Sequence, residues 1–127
     1  MEGTWVKDSS EGVEELLQAL KAENFTEKAQ NSLITTIIQE GSHFTIERKR
    51  PKVTVTNRFC IGERSEFSTM KEGFRPQCDS DLEGGVLTIR AVDKDYKHEL
   101  MVDENGKLKE VFRIKGMVAT RWSSKMT

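Results

Sequence analysis

Met117-Val118-Ala119-Thr120-Arg121-Trp122-Ser123 alternates, and the fold is read outward from it. As a strand it puts Met117, Ala119, Arg121 and Ser123 on one face and Val118, Thr120 and Trp122 on the other. If the first face is the inner one, a guanidinium is buried, and a buried guanidinium needs a partner. Two sources are open: an acidic residue of the chain, forming a structural ion pair, or the carboxylate of a ligand.

The same period of two runs back through most of the chain. It marks strands at Gly3–Lys7, Ile34–Gln39, His43–Arg48, Lys52–Ile61, Ser65–Met70, Phe74–Leu82, Val86–Val92, Tyr96–Val102, Leu108–Ile114 and Met117–Ser123. Turn chemistry separates them: Glu40-Gly41-Ser42, Arg50-Pro51, Gly62-Glu63, Lys71-Glu72-Gly73, Gly84-Gly85, Asp93-Lys94-Asp95, Asn105-Gly106 and Gly116. Pro76 lacks a donor for a ladder, so it marks a bulge or an unpaired edge in its strand. Between the first two strands the period changes. Val13, Leu16, Leu17 and Leu20 stand at helical spacing within Glu11–Ala22, with Asp8-Ser9-Ser10 as capping residues before them. Thr26 opens a second, shorter helix to about Ser32. Ten short strands interrupted once by a helix pair predict an all-β fold: a ten-stranded antiparallel up-and-down β-barrel with a helix-turn-helix lid. A meander of this length closes or folds over to protect its edges, and a barrel this wide holds a ligand. At 127 residues the chain is expected to form one domain, 1–127.

Composition excludes several classes. Lys and Arg number 20 against 21 Asp and Glu, a net charge of -1, without the basic excess of a nucleic-acid binder. Hydrophobic residues are 35%, below the usual apolar share of about 45–50%, which fits an interior that is partly polar and hollow. No apolar run approaches the roughly 18 residues of a membrane span, and the polar start Met1-Glu2-Gly3 does not resemble a secretory signal. Cys60 and Cys78 form no CxxC pair and read as free thiols of a reducing, cytoplasmic compartment. With two separated histidines, His43 and His98, no metal site is expected, and no cofactor.

Taken together, the residues resemble the intracellular lipid-binding proteins: the fatty-acid-, bile-acid- and retinoid-binding proteins, and above all their liver-type and ileal branch. The resemblance rests on Gly3-Thr4-Trp5 followed by Gly12-Val13-Glu14-Glu15-Leu16-Leu17, and on His43-Phe44-Thr45-Ile46 with Val53 to Glu63. It continues through Phe67-Ser68-Thr69-Met70 and Leu82-Glu83-Gly84-Gly85. Lys7 and Val13 depart from the family pattern. The resemblance implies that Arg121 and Ser123 on the last strand, with Thr35 early in the second, meet a ligand carboxylate. It also implies that His98 stands where other branches carry a second arginine.

By alternation Phe44, Ile46, Val55, Phe59, Phe67 and Leu100 line one face, the cavity wall of such a barrel, with Met70 at the end of its strand; Arg48 follows Phe44 and Ile46 inward. The run Arg48-Lys49-Arg50-Pro51-Lys52 otherwise reads as a solvated turn, or as a patch for transient membrane contact. The expected function is intracellular binding and transport of a long-chain fatty acid or similar hydrophobic carboxylate by a monomer. Alternatives are a bile-acid or retinoid carrier, or an interaction module for a protein or membrane on the same barrel. No elbow, P-loop or paired-carboxylate motif indicates an enzyme; Cys78 is the one nucleophile that alternation puts in the cavity.

Overall fold

A computed structural model of the chain describes residues 1–19, 33–69 and 73–126. Its strands are β1 (Gly3–Glu11), β2 (Ile34–Glu40), β3 (His43–Lys49), β4 (Thr54–Cys60), β5 (Ser65–Glu66), β6 (Gln77–Glu83), β7 (Val86–Ala91), β8 (Tyr96–Val102), β9 (Leu108–Ile114) and β10 (Met117–Lys125), with one helix, α1 (Val13–Ala19), after β1. All ten belong to one antiparallel sheet in the order β4-β3-β2-β1-β10-β9-β8-β7-β6-β5, so every neighbour but the β1–β10 pair is also a neighbour in sequence. This is the expected up-and-down barrel, nearly closed. Its ends, β4 and β5, do not share a ladder. The Asn57 amide bridges them instead: its Nδ2 donates to the Ser68 carbonyl at 2.9 Å, and its Oδ1 accepts from the Ser68 N–H at 2.8 Å.

Tight turns fix the register. Lys115 and Gly116 both have positive φ, 49° and 79°, the geometry of a two-residue hairpin turn. That turn pairs Met117 with Ile114, and so sets Arg121 directly opposite Glu110. Along β10 the inward face is Ala119, Arg121 and Ser123, all buried, while Val118 is exposed.

Several elements differ from the sequence expectation, each for a nonlocal reason. Asp8-Ser9-Ser10 do not cap a helix; they extend β1, whose ladder to β10 runs on to Glu11 after a register shift between Lys7 and Ser9. Long-range pairing here outweighs the local preference of Asp and Ser for caps. The helix starts at Val13, and its continuation beyond Ala19, with the second helix from Thr26, lies outside the described residues. The strand expected at Ser65–Met70 is only Ser65–Glu66, and the one expected from Phe74 begins at Gln77, just after the donor-less Pro76.

Two clusters fill the interior. The larger includes Trp5, Ile37, Phe44, Phe59, Leu87, Leu100 and Leu108. The smaller joins Val13 and Leu16 of α1 to Phe112, Ile114 and Ala119. The helix thus covers the β9–β10 end with its apolar stripe. Gly12 makes that close approach possible. Its φ is +74°, and a Cβ there would lie 2.6 Å from the Val118 carbonyl oxygen. Gly12→Ala is expected to cost about 2 kcal/mol or more, the sum of a left-handed residue and a backbone clash, measured as a lowered urea midpoint at unchanged slope. Gly41→Ala, with open space around it, shares only the backbone penalty and serves as the comparison.

Candidate functional site

The inward faces of β3, β8, β9 and β10 converge on a cavity whose lining mixes charged and apolar side chains. Arg48, Arg50, His98 and Arg121 line it together with Asn57 and Tyr96, and so do Ile46, Val55, Phe67, Ile89, Phe112 and Ile114. The charges are organised by Glu110, fully buried behind the lining. Its Oε1 accepts from Arg48 Nη2 at 2.5 Å and from His98 Nε2 at 3.1 Å, and its Oε2 accepts from Arg121 Nε at 3.1 Å. Burial alone would raise the Glu110 pKa. Arg121 and Arg48, with a hydrogen bond from His98, outweigh it and hold the carboxyl well below the usual range.

Arg121 is the most deeply buried of the lining cations. It is fully buried, its guanidinium carbon 5.0 Å from the centre of the Phe112 ring. Only Nε is used by Glu110. Nη1 and Nη2 have no hydrogen-bond partner among the described residues, and neither has the hydroxyl of Ser123, two residues on. Of the two sources open for Arg121's partner, the chain supplies one: Glu110 accepts from Nε. Thr35 is also buried, and its Oγ1 accepts from Arg48 Nη1 at 3.3 Å.

His98 is buried and stacks on Phe112, ring centres 4.2 Å apart. Burial, the largest influence, pushes its pKa down to about 4 against the pull of Glu110, and the charges of Arg48 and Arg121 add to the depression. At neutral pH it is the uncharged imidazole with its proton on Nε2, the tautomer that can donate to Glu110. The direction has a consequence for stability. A histidine depressed from 6.5 to about 4 binds its proton more weakly in the fold than in the unfolded chain, so its contribution is present above pH 6.5 and is lost as pH falls toward 4. Glu110, depressed below 4.5, acts in the same sense below that pH. Stability is expected to fall by about 3 kcal/mol between pH 7 and 4 through His98 alone, read from urea midpoints. His98→Asn should flatten the slope between pH 6.5 and 4.5.

The residues expected from the sequence separate into groups. Arg121, His98, Arg48, Ile46, Val55 and Phe67 line the cavity. Ser123 and Thr35 are buried without lining it. Phe44, Phe59 and Leu100 belong to the packed cluster, as Ile46 and Phe67 also do, but do not line this cavity; Phe44 and Phe59 stack at 5.7 Å, and Phe59 meets Phe67 at 4.9 Å. Met70 lies outside the described residues. Arg50 is a correction: the turn read as solvated holds a side chain only 4% exposed, lining the cavity. Cys78 is another, for it packs in the core and is absent from the cavity lining. Burial first, then Asp79, pushes its thiol up to about 11, which makes it a poor nucleophile. Glu110, Arg50, Tyr96, Phe112 and Ile114 join the site without having been singled out from the sequence. Alternation alone marks Glu110 as an acid among inward apolar residues of β9, between Leu108 and Phe112.

Among the described residues no helix is long and apolar enough to cross a membrane, and no group of three or more potential metal ligands is present.

This architecture has relatives. The family model described as the lipocalin / cytosolic fatty-acid binding protein family matches residues 1–127. A liver fatty acid-binding protein of Schroederichthys bivius is 32% identical over 104 residues, 80% of this chain and 82% of that protein. The zebrafish ileal bile acid-binding protein, solved in complex with cholic acid, superposes with a TM-score of 0.77 at 30% identity over 98% of both chains. Fatty-acid-binding protein 1 of Echinococcus granulosus gives 0.83 at 23% identity over 100% of this chain and 98% of that one, a likeness of fold. The chain belongs to the lipocalin / cytosolic fatty-acid binding protein family.

Proposed function

We propose that this protein is an intracellular carrier of a hydrophobic anion, a long-chain fatty acid in the first instance, held in the cavity with its carboxylate against Arg121. One observation carries the reading: Nη1 and Nη2 of a fully buried arginine, lining a cavity, have no hydrogen-bond partner among the described residues. Leaving two charged donors unsatisfied in a low-dielectric interior is costly, and a carboxylate matches that edge of the guanidinium with two parallel hydrogen bonds. The apolar side chains of the lining take the tail, where burial contributes roughly 25 cal/mol per Å². Thr35 accepts from Arg48 and so helps to hold that cation near the headgroup. His98, neutral, holds Glu110 and so fixes the angle at which Arg121 faces the cavity.

A bile acid is the second reading, favoured by the 30% identity to a protein solved with cholic acid. Both ligands present a carboxylate to the same arginine and differ in the shape of the apolar part. The test of the shared reading is a pair of isotherms with a common tail. Oleate is expected to bind at least about 100-fold more tightly than oleyl alcohol, the worth of two charge-assisted hydrogen bonds. Equal affinities would remove Arg121 as the headgroup site.

A further inference from the structure

The amide and hydroxyl side chains that line the cavity are, among the described residues, Asn57, Ser68, Thr69 and Tyr96. Two of them are occupied within the protein. The Asn57 amide binds the Ser68 main chain at both of its atoms, and the Thr69 hydroxyl donates to the Phe74 carbonyl at 2.8 Å. No hydrogen bond reaches the hydroxyl of Tyr96 or of Ser68 among the described residues.

Tyr96 is the better defined of the two. Phe74 meets its ring edge-on at 5.8 Å, its N–H donates to the Lys94 carbonyl at 2.9 Å, and the ring packs against both apolar clusters. Burial, the largest influence, pushes the phenol up to about 12, so at neutral pH it keeps its proton and can both donate and accept. A tyrosine hydroxyl held among apolar groups ordinarily finds a partner. Its place is set by register. On β9, Glu110 stands opposite Arg121 and Ile114 opposite Tyr96. The four residues of strand between those positions span about 13 Å. A chain whose carboxylate is at Arg121 therefore meets Tyr96 with its body, not with its headgroup.

We propose that the cavity prefers a long-chain carboxylate bearing a hydroxyl partway along the chain, a hydroxy fatty acid, to the plain fatty acid of the same length, and that Tyr96 reads the hydroxyl. This rests on the carrier reading and deepens it: Arg121 receives the carboxylate, and Tyr96 selects among the chains attached to it. Selectivity arises because a ligand hydroxyl carried into an apolar cavity without a partner is penalised, whereas one that meets the phenol is not.

Calorimetry at pH 7.4 compares oleate with ricinoleate, which is oleate with one mid-chain hydroxyl. Ricinoleate is expected to bind at least about 3-fold more tightly. Tyr96→Phe keeps the ring and its contact with Phe74. In that variant the preference should invert, a swing of about 10-fold or more in the ratio of the two affinities. Thermal melts check its folding. Tyr96 is also the only tyrosine of the sequence. Isotopically labelled tyrosine thus gives a single phenol signal, expected to move further with ricinoleate than with oleate. Ricinoleate bound no more tightly than oleate, or a preference unchanged in Tyr96→Phe, would overturn the inference and leave the carrier reading standing. Uptake of neither acid would overturn both.

Discussion

Glu110→Gln is expected to lower the stability of the ligand-free protein by about 3–5 kcal/mol, the usual cost of removing one partner from a buried charge cluster. For a domain of this length that is a fall in Tm of about 10–20 °C. The substitution keeps the shape but sets an NH2 against a donor on one side, so the loss combines the missing charge with one missing acceptor. Glu110 is the carboxylate that Arg48, Arg121 and His98 share, and it is fully buried. Without it, the fully buried guanidinium of Arg121 and that of Arg48, 12% exposed, lose the carboxylate they share. Glu99 provides the contrast. It pairs with Arg113, 52% exposed, and its replacement by glutamine should cost under about 1 kcal/mol. Thermal melts at pH 7.4 read both. A further outcome follows from the same arithmetic: an anionic ligand should raise the Tm of Glu110→Gln by more than it raises that of the unsubstituted protein, because it supplies the missing charge. A variant as stable as the parent would mean that the cations do not depend on Glu110.

The second large effect concerns affinity. Arg121→Leu removes the two guanidinium donors, Nη1 and Nη2, proposed to hold the carboxylate. Oleate affinity is expected to fall about 100-fold or more, while oleyl alcohol changes by no more than about threefold, so the preference for the acid disappears. Removing Arg121 also releases one oxygen of Glu110, but Arg48 and His98 remain on the other, so the variant keeps part of its internal pairing. Equal losses for acid and alcohol would point to a collapsed cavity and not to a lost headgroup contact.

Much of this architecture is legible in the sequence. The strands Tyr96–Val102 and Leu108–Ile114 are found at the expected residues, because their alternation is uninterrupted and their turns carry glycine or aspartate. The direction of Arg121 is legible too, from alternation with Ala119 and Ser123. Its protein partner is legible one step further. A two-residue turn at Lys115-Gly116 makes Arg121 and Glu110 opposite neighbours, and the side-chain period puts both on the same face. What composition hides is the fate of Arg50. Its neighbours, Lys49, Pro51 and Lys52, suggest a solvated turn, and only the course of that turn sends the side chain inward. The extent of β1 is hidden for a similar reason. Asp8 and Ser10 favour caps locally, yet β10 offers Ser9, Ser10 and Glu11 a ladder across more than a hundred residues. Nor does period two separate a cavity wall from a packed core: Phe44 and Val55 both fall on the inward face by alternation, yet Phe44 packs in the larger cluster and Val55 lines the cavity.

The most direct measurement is native mass spectrometry of the protein purified without a delipidation step. The account predicts a complex heavier than the bare chain by one hydrophobic anion, lost on denaturation and lost far more readily in Arg121→Leu. A bare protein that also takes up neither oleate nor cholate would contradict it, and would assign the barrel a closed interior.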